Sequence, residues 1–231
     1  MIDMKTAVST KWFTTIYYPV NKVARAAKYE EGVLPRLEQN EIVLFTPWGP
    51  RYSWKERGVI IRSNDKEICT LKFLKAMLSD WKKNMPEKKI VWFFLGADLY
   101  GSRINGLPIE IIKEYFFSLG EKLKDILPGS LFHLWSEFDC EAEMHRKKIR
   151  ENFDAFVDAR LLGRTSRTAR LMARGGNPKE YLIERIAEAI LIEEKLRPIK
   201  ISCAPRHKDD KVDQNLPRLY FLPENLQAPW I

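Results

Sequence analysis

Cysteine is scarce in this chain. Cys69, Cys140 and Cys203 are odd in number, far apart and without a CxxC pair, which argues against a disulfide framework and against a cysteine-built zinc site. Each is expected to be a free, mostly buried thiol. Histidine is equally rare, with three residues, and neither HExxH nor GxSxG occurs. Metal-dependent and triad hydrolysis are therefore disfavoured, and no metal is expected. The GxGxxG and P-loop patterns are missing too, so no nucleotide cofactor is expected. No apolar run approaches the roughly 18 residues of a membrane span, and "MIDMKTAVSTKWFTTIYY" has no basic region followed by an apolar one. A cytoplasmic protein without a membrane partner is the expectation. Nor is there a Gly/Ser-rich linker, a low-complexity stretch or an internal repeat. The 231 residues are expected to form one domain, with residues 1–35 a helical or irregular segment packed on it.

What is present points to a folded, basic protein. Seven Trp, eight Tyr and twelve Phe within 45% apolar residues argue against disorder. A net charge of +8 and a pI near 9.3 fit a phosphate-bearing partner, nucleic acid or phosphorylated small molecule, and equally a solvated basic face. Apolar, β-rich runs recur at 41–46, 58–62, 89–96, 130–135, 199–203 and 218–222 with helical patterns between several of them, the alternation of an α/β sheet. The clearest helix covers about 65–84, where Ile68, Leu71, Leu74, Met77, Leu78 and Trp81 keep helical spacing, Asn64 with Glu67 resembles a capping box and Pro86 marks the stop. A second begins at Pro108, and further helical patterns cover about 141–174 and 179–196, separated by the breaker "GGNP". The run "KKIVWFFLG" is apolar on both alternating faces, so it is expected to be a central strand with helices on each side. The segment after it then lies at the carboxyl edge of the sheet, where ligands bind.

Three constellations could carry chemistry. "FTPWGPRYSW" (45–54) ends a strand and offers Thr46, Arg51, Tyr52 and Ser53 on a loop stiffened by Pro47 and Pro50, where an arginine could grip a phosphate. A rigid turn with an aromatic plug is the plainer reading. "GADLYGSRING" (96–106) places Asp98 two residues past the strand and Arg103 between Gly101 and Gly106, glycines that would let backbone approach a ligand. A turn-capping Asp98 is the plainer alternative. In "RLLGRTSRTARLMAR", Arg160, Arg164, Arg167, Arg170 and Arg174 fall within about 120° of helical arc. They form either a solvated stripe or a face for a sugar phosphate or RNA. Of the histidines, His133 is expected in the core and His145 at the surface. His207, in the polar segment between the closing strands, suits acid/base work.

Taken in order, these segments resemble the isonitrile (isocyanide) synthase family. The likeness lies in "LFTPWGPRYSW", the acidic step "NDKEICTLKFL", the strand ending "FFLGADLYG", a helix with Tyr115, and a C-terminus in which "IKIS", Lys211, "LYFLP" and "APW" match the family's closing strands. The resemblance implies a Rossmann-like α/β fold, a mostly parallel sheet with helices on both faces. It also implies an enzyme that turns an amino group into an isonitrile, with a phosphorylated sugar supplying the carbon and no cofactor. Arg51, Arg103, Lys200 and Lys211 would hold the phosphate, while Asp98, Ser202 and His207 would move protons. "FTPWGPRYSW" is also similar to the strand-end motif of cyclodipeptide synthases, which use aminoacyl-tRNA. Thr46 would then be the nucleophile, "YLIER" (181–185) would stand in the Tyr/Glu region, and tRNA would be a partner. A non-catalytic RNA-binding domain on the same fold is a third expectation. The tail from 198 is expected to be a hairpin or neighbouring strand pair that brings Lys200, Ser202, His207 and Lys211 towards the pocket of Arg51 and Asp98. Oligomeric state is not legible.

Overall fold

The computed structural model describes residues 32–50, 52–53, 58–59, 65–157, 176–203 and 216–221. A short helix α1 (Leu34–Leu37) leads into strand β1 (Glu41–Trp48). Strands β2 (Tyr52–Ser53) and β3 (Gly58–Val59) form an antiparallel ladder of their own, so the run expected as a sheet strand at 58–62 stands apart from the main sheet. Helix α2 (Asp65–Asn84) follows, with Asp65 and Glu67 in its first turn and Lys82 and Lys83 in its last, charges that oppose the helix dipole. Next come β4 (Lys89–Gly96), a π-helical turn (Tyr100–Ile104) and α3 (Ile109–Ile126), for which Pro108 is the N-cap. Strand β5 (Leu131–Leu134) passes through a 3-10 turn (Trp135–Phe138) into α4 (Asp139–Glu151) and α5 (Phe153–Phe156). The expected helix over 141–174 thus breaks at Asn152, and its arginine stripe, Arg160 to Arg174, lies outside the described residues. Helix α6 (Pro178–Leu196) starts where "GGNP" predicts a break: the Asn177 side chain accepts from the Lys179 N–H at 2.9 Å, and Pro178 occupies the first turn. Strands β6 (Ile199–Cys203) and β7 (Arg218–Phe221) complete the described elements.

The main sheet has the order β5-β4-β1-β6-β7 and every pairing in it is parallel. The closing strands are therefore parallel neighbours, which excludes the hairpin. Because the sheet is covered on both sides, its strands are apolar on both sides. Ile42, Leu44 and Trp48 of β1 and Trp92 and Phe94 of β4 pack with α2 and α3 through Leu71, Leu74, Trp81, Tyr115 and Phe116. The alternate residues Phe45, Phe93 and Leu95 face Trp135, Ala142, Ala189 and Ile192 on the opposite side. Helix α6 is itself enclosed, since Ile183, Ile186 and Ala187 pack on Ile149 of α4. The chain has the Rossmann-like α/β fold expected of it.

Two corrections concern the histidines. His133 is half-exposed, stacked on Phe93, with Nδ1 2.7 Å from the Glu137 carboxylate. His145 is buried against α6, its Nε2 3.1 Å from Glu194. The thiols of Cys69 and Cys140 are exposed rather than buried: each falls on the outward side of its helix. Among the described residues no helix is long and apolar enough to cross a membrane.

Candidate functional site

Register gathers the strand ends on one line. Trp48 pairs with Gly96, Gly96 with Leu134, and Cys203 with Phe221. Phe45 pairs with Lys200, and continuing that register three residues sets Cys203 level with Trp48. The chain builds outward from β1 through β4 to β5, then returns to the other side of β1 for β6 and β7. The direction of winding therefore reverses between β1 and β6, and in open α/β sheets the crevice for a ligand opens at the carboxyl edge of that reversal.

The candidate residues stand around this edge in different ways. Asp98, two residues past β4, is buried, and its Oδ1 accepts from the Ser136 N–H at 3.0 Å. It thereby ties the segment after β4 to the turn after β5, the plainer of its two expected roles. Arg103 projects outward and forms a two-pronged ion pair with Asp139, with Nη1 2.8 Å from Oδ1. Thr46 does not sit on a loop: it lies inside β1, buried, and its Oγ1 accepts from the Trp92 indole at 3.0 Å. Lys200 is buried in the middle of β6, on the side of the sheet that Phe45 faces. Ser202 lies two residues further along β6, and Tyr52 and Ser53 make up β2. Arg51, His207 and Lys211 lie outside the described residues. Gly101 serves packing instead of ligand approach: a Cβ there would stand 2.6 Å from the Ile112 side chain.

The sequence reading missed two buried polar networks at the same edge. On the α4/α6 side, the Tyr100 hydroxyl donates to Glu188 Oε2 at 2.8 Å, and Arg185 donates to Oε1 at 2.8 Å. Burial, reinforced by the Glu188 charge, raises the Tyr100 hydroxyl well above its usual pKa, so it remains a donor. One turn earlier, Glu184 receives the Trp135 indole at 2.5 Å and two bonds from Arg146, at 2.8 Å and 2.9 Å. Arg146 also reaches Asp139 at 2.6 Å and Glu143 at 2.9 Å. Burial pulls its pKa down, but the bonds to Glu184, Glu143 and Asp139 outweigh that and raise it. On the α2/α3 side, the Trp48 indole donates to the Tyr115 hydroxyl at 2.9 Å, and that hydroxyl lies 3.3 Å from Oε1 of the fully buried Glu67. A signal for these residues existed: Glu184 and Glu188 interrupt the apolar pattern of α6, and Glu67 shares the inward helical face of Leu71, Leu74 and Trp81.

Two features of this edge bear on chemistry. The carboxylates of Glu184 and Glu188 are each matched by an arginine, so they hold the floor rigid and present no free charge to a substrate. Among the described residues no cluster of His, Cys, Asp and Glu could hold a metal ion.

No family profile and no curated protein matches this sequence. Solved structures do. The PvcA protein from Pseudomonas aeruginosa superposes with a TM-score of 0.62 at 18% identity, over 98% of this chain and 87% of that one. Tyrosyl-tRNA synthetase complexed with L-tyrosine from Archaeoglobus fulgidus gives 0.60 at 11%, over 93% and 64%. The CDPS from Staphylococcus haemolyticus gives 0.50 at 10%, over 85% and 92%. What the chain shares with all three is the Rossmann-like α/β fold.

Proposed function

We propose that this chain is a synthase that builds a bond to the nitrogen of an amino acid, of the isonitrile synthase kind, with a phosphorylated sugar as carbon donor. The observation that carries the reading is the level carboxyl edge at the β1/β6 reversal, because three of the strands within the segments that resemble the isonitrile synthases, β1, β4 and β6, reach it side by side. Condensing an amine with a ketone releases water and needs an acid and a base, and a phosphate nearby needs fixed positive charge. Asp98, Ser202 and His207 are proposed for the proton transfers. Arg51, Arg103, Lys200 and Lys211 are proposed for the phosphate, with Tyr52 and Ser53 beside them. Fold likeness to PvcA, an isonitrile synthase, over nearly the whole chain supports this form.

The second form of the reading is a cyclodipeptide synthase that takes aminoacyl-tRNA, supported by the fold shared with the CDPS. Its weak point is Thr46, whose hydroxyl is buried and accepts the Trp92 indole, a poor position for a nucleophile that must reach an ester. Mass spectrometry of extracts from expressing cells, scored for isonitriles and cyclic dipeptides beside a check for copurified tRNA, separates the two. Isonitriles that vanish in Arg51→Ala and Asp98→Ala are the expected result. Cyclic dipeptides with copurified tRNA, or full turnover in both variants, would overturn the proposal.

A further inference from the structure

Strand β5 is the outer strand on one side of the sheet, paired with β4 alone among the described strands. An outer strand offers unpaired N–H and C=O groups to another chain. Here it offers side chains too, since Leu131 is exposed and Phe132, His133 and Leu134 are half-buried. Helix α3 flanks the same edge. The Phe132 ring centroid lies 6.2 Å from that of Phe116, and a Cβ on Gly120 would stand 3.2 Å from the Phe132 ring, so β5 runs beneath the turn from 116 to 120. Tyr115, nearly opposite Phe117 on the helix, points inward to Trp48 and Glu67. At 100° per residue these contacts aim Phe117 sideways, off the edge of the sheet. It is 70% exposed, a large apolar side chain in water beside an outer strand.

The charges about Phe117 are arranged symmetrically. Glu110, Lys113, Glu121 and Lys124 are all exposed and lie within about 40° of Phe117 around the helix. In sequence they stand seven and four residues before it and four and seven after it. Reversing the helix about Phe117 therefore lays Glu110 on Lys124 and Lys113 on Glu121, opposite charges at both steps. Met144, 72% exposed on the other layer of the fold, has no such surroundings: the same reversal lays Cys140 on Lys148 and Glu137 on Glu151.

We propose that the β5 edge and this face of α3 form the two-fold interface of a homodimer. In a two-fold contact each residue i that meets j of the second copy is matched by j meeting i, so the surface must be complementary to its own reverse. The α3 face meets that condition in charge, with Phe117 on the axis. The strand meets it at the same level. An axis normal to the sheet at Phe132, beneath the turn that carries Phe117, pairs β5 with its copy antiparallel. Phe132 then faces Phe132 of the second copy, and Leu131 faces the half-exposed His133 on the other side of the sheet. The five-stranded sheet becomes one of ten strands, with the two α3 helices side by side over the junction. Glu121 and Lys124, which already hold each other at 2.8 Å, join Lys113 and Glu110 of the second copy in a row of four alternating charges. A face with equal numbers of acids and lysines around one phenyl ring does not suit insertion into a membrane surface.

The test is sedimentation equilibrium of the full chain and its variants over a range of concentrations. The wild type is expected to reach twice the 27.1 kDa of one chain at about 50 μM, dissociating on dilution as mass action requires. Phe117→Glu sets two carboxylates against each other on the axis and is expected to raise the dimer Kd at least tenfold. Met144→Glu, an equally exposed change on α4, is expected to shift it less than twofold. Charge reversal tests the pairing itself. Lys113→Glu and Glu121→Lys each place like charges together and are expected to weaken the dimer when alone. The double variant K113E/E121K should restore it, and an equimolar mixture of the two single variants should form a mixed dimer, because each then meets the opposite charge. Restored or mixed dimers cannot arise from misfolding, so this arm stands even if a variant melts lower. A wild type that stays monomeric, or equal weakening by Met144→Glu, would overturn the interface. Loss in Phe117→Glu without rescue by the charge swap would overturn the two-fold register. None of these readouts involves product formation, so they succeed or fail separately from the synthase reading.

Discussion

Arg146 shows how much of the candidate site hangs on one side chain. It is 2% exposed and joins Glu184 of α6 to Asp139 and Glu143 of α4. Removing one partner of a buried, hydrogen-bonded ion pair leaves the other charge stranded, at a cost of about 3–5 kcal/mol. Arg146→Ala is therefore expected to lower stability by about that amount in urea denaturation. Arg103→Ala, which breaks a pair whose guanidinium is 53% exposed, should cost about 1 kcal/mol or less. The same carboxylate sets a pH dependence. The bond from Arg103, then the bond from Arg146, hold Asp139 below the usual carboxylate pKa. A pKa lowered by folding stabilises above the unfolded value of about 3.9 and is lost as pH falls through the folded one. Urea midpoints of the wild type should thus fall below about pH 4, and Arg103→Ala should show a shallower fall over that range. None of this was legible in the sequence, because an arginine in "MHRKKIRE" reads as one more surface charge until α6 supplies its partner.

At the scale of elements, local pattern was a good guide wherever it was regular. The helix expected over 65–84 and the strands expected over 89–96 and 199–203 have those bounds. The errors come from long-range effects. The pattern ends the first strand at Thr46 and starts a loop at Pro47, yet β1 runs on through Pro47 to Trp48, held by β4 along its whole length. His133 and His145 exchanged their expected environments because burial depends on which helix covers a strand or helix face. Nor could any local rule foresee that Tyr115 of α3 would meet Trp48 of β1 and Glu67 of α2. That hydroxyl joins all three elements beneath the crevice, and truncating it leaves buried polar partners short of a bond. Tyr115→Phe is expected to cost about 1–3 kcal/mol. A chemical-denaturation series with Trp48→Phe and the double variant checks it: since both remove the same bond, the double should cost less than the sum.

For the whole molecule, the order of the sheet matters more than its composition. β1 is its middle strand, and both of its edges are satisfied only when β4 and β6 are in place. One of those neighbours comes from near the C-terminus, so the N-terminal part of the chain cannot complete its own core. Ile199 and Ile201 belong to the same apolar cluster as Leu44, Trp92 and Tyr115. The sequence announced these strands, and with them the closing of the sheet, but not which side of β1 they would take. That choice decides where the winding reverses and hence where the candidate crevice lies. A chain ending after Arg197 would leave β1 with an open edge, apolar on both faces, and exposed apolar edge strands pair with other molecules. A chain ending after Phe221 keeps every strand of the sheet. The shorter form is expected to aggregate or to lack a cooperative melting transition, while the longer one stays monodisperse and melts cooperatively. Size-exclusion chromatography and circular dichroism of the two truncations distinguish these outcomes, and a folded, cooperative 1–197 would show that β6 is dispensable to the core.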